Sequence, residues 1–206
     1  MNTAALPVVR LKIERRSNHP WIFQKMVEKP VAKPKPGTIV DIVDVTGTWV
    51  GRGFYNGHSR IALRVLTENP DEAVDQAFFA ARIRAAVALR RDLLRLDEVS
   101  DAWRVVHSEG DGLSGLVVDR YGDLLVVEFF SAGAFRHREW IYAALREAFP
   151  DCRFYSFAEE HVLLGSEDLF RTSLGLTRDF EGPFEAQLFF SHLSHGQILG
   201  SGRNQG

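Results

Sequence analysis

Cysteine is nearly missing from this chain: Cys152 stands alone among 206 residues. A disulfide framework and any multi-cysteine zinc site are therefore excluded. No apolar run approaches the roughly 18–20 residues a membrane-spanning helix needs. Residues Met1 to Arg10 lack a basic stretch followed by an apolar core, so no signal-peptide pattern stands there. No internal repeat is evident. These absences predict a cytoplasmic protein with no membrane partner. What is present is ordinary for a globular chain: 45% hydrophobic, 25% charged and 11% aromatic residues. That excludes wholesale disorder, and the length allows one large domain or two small ones.

Lysine is absent after residue 35; all five (Lys12, Lys25, Lys29, Lys33, Lys35) precede it. The net charge of −2 hides this asymmetry, because residues 1–66 sum to +7 and residues 67–206 to −9. A basic module precedes an acidic one. Clustered positive charge attracts polyanions, but a solvated basic face with no ligand has the same composition.

The hydropathy pattern divides the chain similarly. Val8–Ile13, Thr38–Val45, Trp49–Tyr55 and Ile61–Leu66 read as short strands, with Thr46-Gly47-Thr48 and Asn56-Gly57 as turns. Arg15 to Phe23, interrupted by Pro20, reads as a short helix or turn. Lys29 to Gly37 holds three prolines and reads as an exposed loop. Strands at this spacing predict a small β-barrel over residues 1–70. A long helix is expected from about Val74 to Leu96. Its inward stripe would be Phe78, Ala81, Ala85, Leu89, Leu93 and Leu96, with acidic Asp71, Glu72 and Asp75 near its start. The strand Trp103–His107, a hairpin spanning Leu116 to Phe130, a helix from Arg138 to Phe149 and the strand Arg153–Phe157 follow. That order predicts a small α/β unit over 75–182, hence an α+β fold overall. Residues 183–206 are Gly/Ser-rich without periodicity and are expected to be a disordered tail.

Several motifs have a functional and an ordinary reading. Gly110-Asp111-Gly112-Leu113-Ser114-Gly115 matches the dinucleotide pattern G-x-G-x-x-G. That pattern works only where a helix follows and its amides hold a pyrophosphate. Here β-branched Leu116-Val117-Val118 follows, so a tight inter-strand loop is expected. His192 and His195 make at most half a metal site, and no metal is expected. Cys152 has no local activator and reads as a small buried apolar residue. Asp41 with Asp44, and Glu159 with Glu160, lack the contrasting environments acid–base catalysis requires. No catalytic residue is assigned.

The basic-aromatic cluster of the first segment is more suggestive. Trp21, Phe23, Trp49 and Phe54 are expected in the barrel core. Cations and polar groups around them are candidates for RNA contact: Arg15, Arg16, Lys25, Arg52 and Arg60 toward phosphate, Tyr55 and Asn56 toward base or ribose. Arg52, between Gly51 and Gly53, has buried structural pairing as its ordinary alternative.

The chain resembles the N-terminal half of the bacterial large-subunit rRNA methyltransferase I family, SAM-dependent enzymes that methylate carbon 5 of cytosine. The stretches that carry the resemblance begin with His19-Pro20-Trp21-Ile22-Phe23, Asp41-Ile42-Val43-Asp44, Gly51-Arg52-Gly53-Phe54-Tyr55-Asn56 and Arg60-Ile61-Ala62-Leu63-Arg64-Val65. They continue with Phe78-Phe79, the run Glu109 to Gly122, and Ser131-Ala132-Gly133-Ala134. The likeness covers roughly residues 8–180. It implies a PUA domain that binds RNA, rRNA above all, followed by a central domain that positions a catalytic one. The family's glycine-rich SAM loop and catalytic cysteine belong to a later domain, and after Phe190 the pattern is lost. The resemblance thus implies S-adenosyl-L-methionine for the full-length family and no cofactor in this chain. The expected function is substrate recognition without methyl transfer by this chain alone, from a truncated, frameshifted or excised reading frame. The competing expectation is a vestigial or protein-interaction module that self-associates into a homo-oligomer.

Overall fold

The computed structural model describes residues 5–158 and Val162. The predicted tail, including His192 and His195, lies outside the described residues.

Five strands form the first sheet: β1 (Val8–Arg10), β2 (Trp21–Phe23), β3 (Thr38–Val43), β4 (Trp49–Tyr55) and β5 (Ile61–Thr67). Their order is β1-β3-β4-β5-β2, with β1 parallel to β3 and the other pairs antiparallel. The two edges then meet. Leu11 bridges Val27, Lys12 N–H donates to Met26 O at 2.8 Å, and Glu28 N–H donates to Arg10 O at 2.9 Å. Closure removes the exposed edges that an open sheet must otherwise protect. The predicted barrel is present, but its β2 strand replaces the helix or turn expected before Phe23. Pro20 has no N–H to give, yet its carbonyl accepts from Val65 N at 2.8 Å, so it sits at the strand's entrance rather than breaking it.

The β3–β4 turn is built by one carboxylate. Asp44 Oδ1 accepts from Thr46 N at 2.8 Å, Thr48 N at 3.0 Å and Thr46 Oγ1 at 2.6 Å, while Gly47 takes a φ of 88°. The Thr46 hydroxyl above all, and then the backbone N–H groups, hold this carboxyl below the usual range against the opposing effect of burial.

A second sheet comprises β6 (Ala102–His107), β7 (Leu116–Tyr121), β8 (Leu124–Phe129) and β9 (Arg153–Ala158), in that spatial order. The first three are antiparallel. β9 returns parallel to β8 through two helices, α2 (Ala132–Arg136) and α3 (Arg138–Ala148). Helix α1 (Gln76–Ala88) packs against α3.

Asp75 caps α1, its carboxylate accepting from Phe78 N at 3.0 Å, in line with the acidic start expected there. The buried stripe differs from the expected one. Phe79, Ile83, Ala86 and Val87 face inward with Phe78, whereas Ala81, Ala85, Leu89 and Leu93 are exposed. Two candidate stripes one residue apart both satisfy the helical period. The bulkier one, Phe79-Ile83-Val87, buries more apolar area and wins. The helix also ends earlier. A π-helical turn over Leu89–Leu93 and a left-handed Arg95 (φ 51°) break the expected continuation to Leu96.

Two cores result. Ten residues, among them Val9, Val40, Ile42 and Leu63, fill the barrel. A larger core lies between α1, α3 and the second sheet, and it takes in Ile39, Phe54 and Leu66 from the barrel wall. Apolar packing is thus continuous from one sheet to the other, and Phe54 is buried as expected. Trp21 and Trp49 are only half-buried and Phe23 is exposed, contrary to expectation. Their rings sit on the outside of a barrel whose interior is filled by aliphatic side chains and Tyr55.

Candidate nucleic-acid interface

The β4–β5 hairpin turns at Asn56-Gly57-His58-Ser59-Arg60. Asn56 N–H donates to Ala62 O at 2.8 Å, and His58 N–H donates to Asn56 Oδ1 at 3.0 Å. Gly57 is required sterically: a Cβ there would lie 2.5 Å from the Tyr55 hydroxyl oxygen. The 3-10 turn after β2, Gln24–Met26, is tied to this loop. Gln24 N–H donates to Arg60 O and its side-chain amide donates to Gly57 O, both at 2.9 Å. Phe23, Gln24, Lys25 and Arg60 consequently line one shallow groove.

Of the seven predicted contact residues, Lys25 and Arg60 meet at that groove. Tyr55 and Asn56 lie beside Arg60 along an adjoining crevice. Tyr55 is buried, and burial pushes its phenol pKa up, so it contributes little surface there. The Arg60 side chain carries no hydrogen bond or ion pair among the described residues. Arg15 and Arg52 do not join the patch. Arg15 has a side chain 8% exposed that donates to Val50 O at 2.8 Å and pairs with Glu68 at 2.7 Å, leaving a buried Nε without a partner. Arg52 donates to Asp41 at 2.9 Å and to Glu72 O at 2.7 Å, the structural pairing held open for it. Arg16, 86% exposed, pairs with Glu14 at 3.1 Å outside both cavities.

The adjoining crevice has a volume of about 150 Å³ and runs between the hairpin and the β8–α2 junction. Asn56, Ser59 and Arg60 form one lip; Phe130, Ser131 and Gly133 form the other. The lips are held by close packing. A Cβ on Gly133 would come within 2.0 Å of the Phe54 ring, and one on Gly37 within 2.4 Å of Ala132 O. Ser131 caps α2 by accepting from Ala134 N at 3.1 Å and donates to Ser114 O at 3.3 Å.

Behind the crevice sits a polar node that residue spacing did not reveal. Glu109 Oε1 accepts from Trp21 Nε1 at 2.6 Å, Ser114 Oγ at 2.6 Å and Arg64 NH1 at 3.0 Å. Two of these donors come from the barrel and one from the loop before β7. Burial opposes the charge on Glu109, but hydrogen bonds from Ser108, Ser114 and Trp21 outweigh it and hold the pKa at about 2. Burial also lowers the pKa of Arg64, against the attraction of Glu109. The guanidinium stays cationic regardless, since arginine starts so high. The same loop contains the G-x-G-x-x-G pattern. Gly112 and Gly115 adopt φ of 69° and 81°, strand β7 follows where a nucleotide site needs a helix, and Asp111 takes a two-pronged pair from Arg90 at 2.6 and 2.9 Å. The loop is the tight inter-strand turn its sequence anticipated, and it also joins α1, the barrel and the second sheet.

Cys152 is half-buried, and burial pushes its thiol pKa up. No group of three or more potential metal-ligating side chains occurs among the described residues, and no described helix is long and apolar enough to cross a membrane.

Comparison with known proteins places this geometry. A PUA-like domain family matches residues 13–68. Ribosomal RNA large subunit methyltransferase I of Tolumonas auensis is 43% identical over 144 residues, 70% of this chain and 36% of that protein. The protein of the same name from Klebsiella pneumoniae is 42% identical over 144 residues, with the same coverage. Among solved structures, one described as a SAM-dependent methyltransferase from Streptococcus mutans has a TM-score of 0.58 at 12% identity, covering 75% of this chain and 40% of that one. Another, described as a methyltransferase complexed with SAH, has a TM-score of 0.61 at 15% identity, covering 77% and 41%. These two likenesses are of fold alone. The chain spans little more than a third of the length of the curated relatives it matches.

Proposed function

We propose that this chain, which corresponds to the PUA-like and central parts of the large-subunit rRNA methyltransferase I family, is an RNA-recognition unit for such an enzyme. Residues 1–70 grip RNA, and residues 75–182 set the position of whatever carries the chemistry. The donor of the methyl group, S-adenosyl-L-methionine in the family, is bound elsewhere than in this stretch, and rRNA is the partner. The observation that carries the reading is the distribution of free cations. Arg15 and Arg52 are tied to acidic and carbonyl partners. Lys25 and Arg60 are left facing one groove on the PUA-like barrel, beside the free amide of Asn56. Cations held in that way displace condensed counterions from phosphate, so binding weakens steeply with salt.

Filter binding of rRNA fragments at two salt concentrations tests this. Lys25→Ala with Arg60→Ala should weaken binding and reduce the slope of log affinity against log salt by about 2. Arg52→Ala should lower stability instead, because it removes the counter-charge of Asp41 and the donor to Glu72 O. Full affinity in the double variant at low salt would remove the groove from consideration.

One observation favours a second reading, self-association. Leu93, Leu94 and Val99 are 73%, 55% and 80% exposed beyond the end of α1, more apolar surface than an isolated side chain explains. Oligomerisation through that patch would change little with salt, unlike RNA binding.

A further inference from the structure

We infer that the crevice between the β4–β5 turn and the β8–α2 junction receives a single unpaired nucleotide of the bound RNA. This rests on the RNA reading above and specifies what the RNA must present. The crevice, at about 150 Å³, has room for about five waters. That suits one base and excludes a strand or a duplex. Phe54 and Tyr55 are buried at the back of the crevice, and half-buried Phe130 is the aromatic side chain along it with surface to offer a base.

Asn56, Ser59 and Arg60 place donor hydrogens at its lip. Asn56 Oδ1 is taken by the His58 N–H, which fixes the amide orientation and leaves the NH2 free. Ser59 Oγ accepts from Ile61 N at 3.2 Å, so its hydroxyl hydrogen is the part left to give. Arg60 adds a guanidinium with no partner among the described residues. These donors complement the acceptor-bearing edge of a base and the phosphate attached to it. The inner cation, Arg64, is neutralised by Glu109 at 3.0 Å. Phosphate therefore stays at the mouth with Arg60 and Lys25, and the uncharged base goes inside. A paired base is stacked and cannot enter, so the crevice selects RNA with a bulged or looped-out residue.

Two fluorescein-labelled RNA hairpins of equal length, one fully paired and one with a single-nucleotide bulge, test this by fluorescence anisotropy. The bulged hairpin should bind about tenfold more tightly, the effect of one base on an aromatic wall. Ser59→Trp, which fills the crevice, and Asn56→Ala should each bring the two affinities within about twofold. Lys25→Ala should weaken both hairpins alike. Thermal unfolding identifies any variant that has lost its fold, and Ser59→Ala then replaces it. Equal binding of both hairpins by the unmodified chain overturns the inference while leaving the RNA reading standing. A preference for the bulge that survives Ser59→Trp also overturns it. Binding of neither hairpin overturns the RNA reading itself.

Discussion

Glu109→Gln tests the joint between the two sheets most directly. The side chain of Glu109 is 27% exposed and that of Arg64 13%, so the pair is neither a surface ion pair nor fully buried. Gln keeps an oxygen for Trp21 and Ser114 but leaves Arg64 a poorly hydrated cation without its counter-charge. Removing one partner of a buried pair costs about 3–5 kcal/mol, and an exposed pair about 0–1. The intermediate exposure places the expected loss at about 2 kcal/mol. The pH dependence has a definite sign. The folded-state pKa of about 2 lies below the ordinary 4.5, so the unfolded chain takes up the proton first as acid is added. The stabilisation is complete above pH 4.5 and is lost as pH falls toward 2. Its linkage ceiling is about 3 kcal/mol, reduced to about 1–2 by solvent screening. Urea unfolding at pH 7 and across the acid range reads both quantities. Adding Arg64→Met to the variant should recover part of the loss, a coupling of about 1–2 kcal/mol in a double-mutant cycle. A loss below about 0.5 kcal/mol for Glu109→Gln, with an acid limb identical to that of the unmodified chain, would refute the reasoning.

Two further outcomes follow from the packing around α2. His137 lies stacked between Phe54 and Trp140, at 5.7 and 4.5 Å between ring centres, with a buried Nε2 that has no partner. Burial first, then the charge of Arg136, lowers its pKa to about 4 against a backbone hydrogen bond at Gly37. The folded protein therefore keeps the ring neutral, and stability should fall as pH drops from 6.5 to 4, by up to about 3 kcal/mol. His137→Phe should abolish that limb and raise the melting temperature at pH 5, as measured by calorimetry; an unchanged limb would exclude His137 as its source. Gly133→Ala should destabilise by about 2–3 kcal/mol or prevent folding, because its Cβ has no space beside the Phe54 ring. A circular-dichroism melt within a degree or two of the unmodified chain would show that this interface yields more easily than its geometry implies.

Much of this molecule was legible in its sequence. Alternation and turn dipeptides indicated the barrel, with Asn56-Gly57 marking the hairpin that carries the candidate interface. The acidic group Asp71, Glu72 and Asp75 marked the start of α1 to within two residues. Absence of a helix after Gly115 separated a structural loop from a nucleotide site. These are local signals, because each depends on neighbours within a few residues. Other features were not legible for an equally physical reason. The inward face of α1 had two solutions one residue apart, and only the volume to be filled against α3 chose Phe79, Ile83 and Val87. Arginines look alike in sequence: the flanking glycines hinted that Arg52 is consumed by pairing, but nothing local separates Arg15, consumed by Glu68 and a backbone carbonyl, from Arg60, which is not.

Composition and order alone determined the class of the fold, the basic character of its first part and the likeness to a methyltransferase family. Tertiary structure decided which cations are free, because pairing depends on partners distant along the chain: Arg52 with Asp41 eleven positions away, and Arg64 with Glu109 forty-five away. It also decided that the Glu109–Ser114 loop is a joint and that a crevice opens next to it, since both exist only once the barrel is seated on the second sheet.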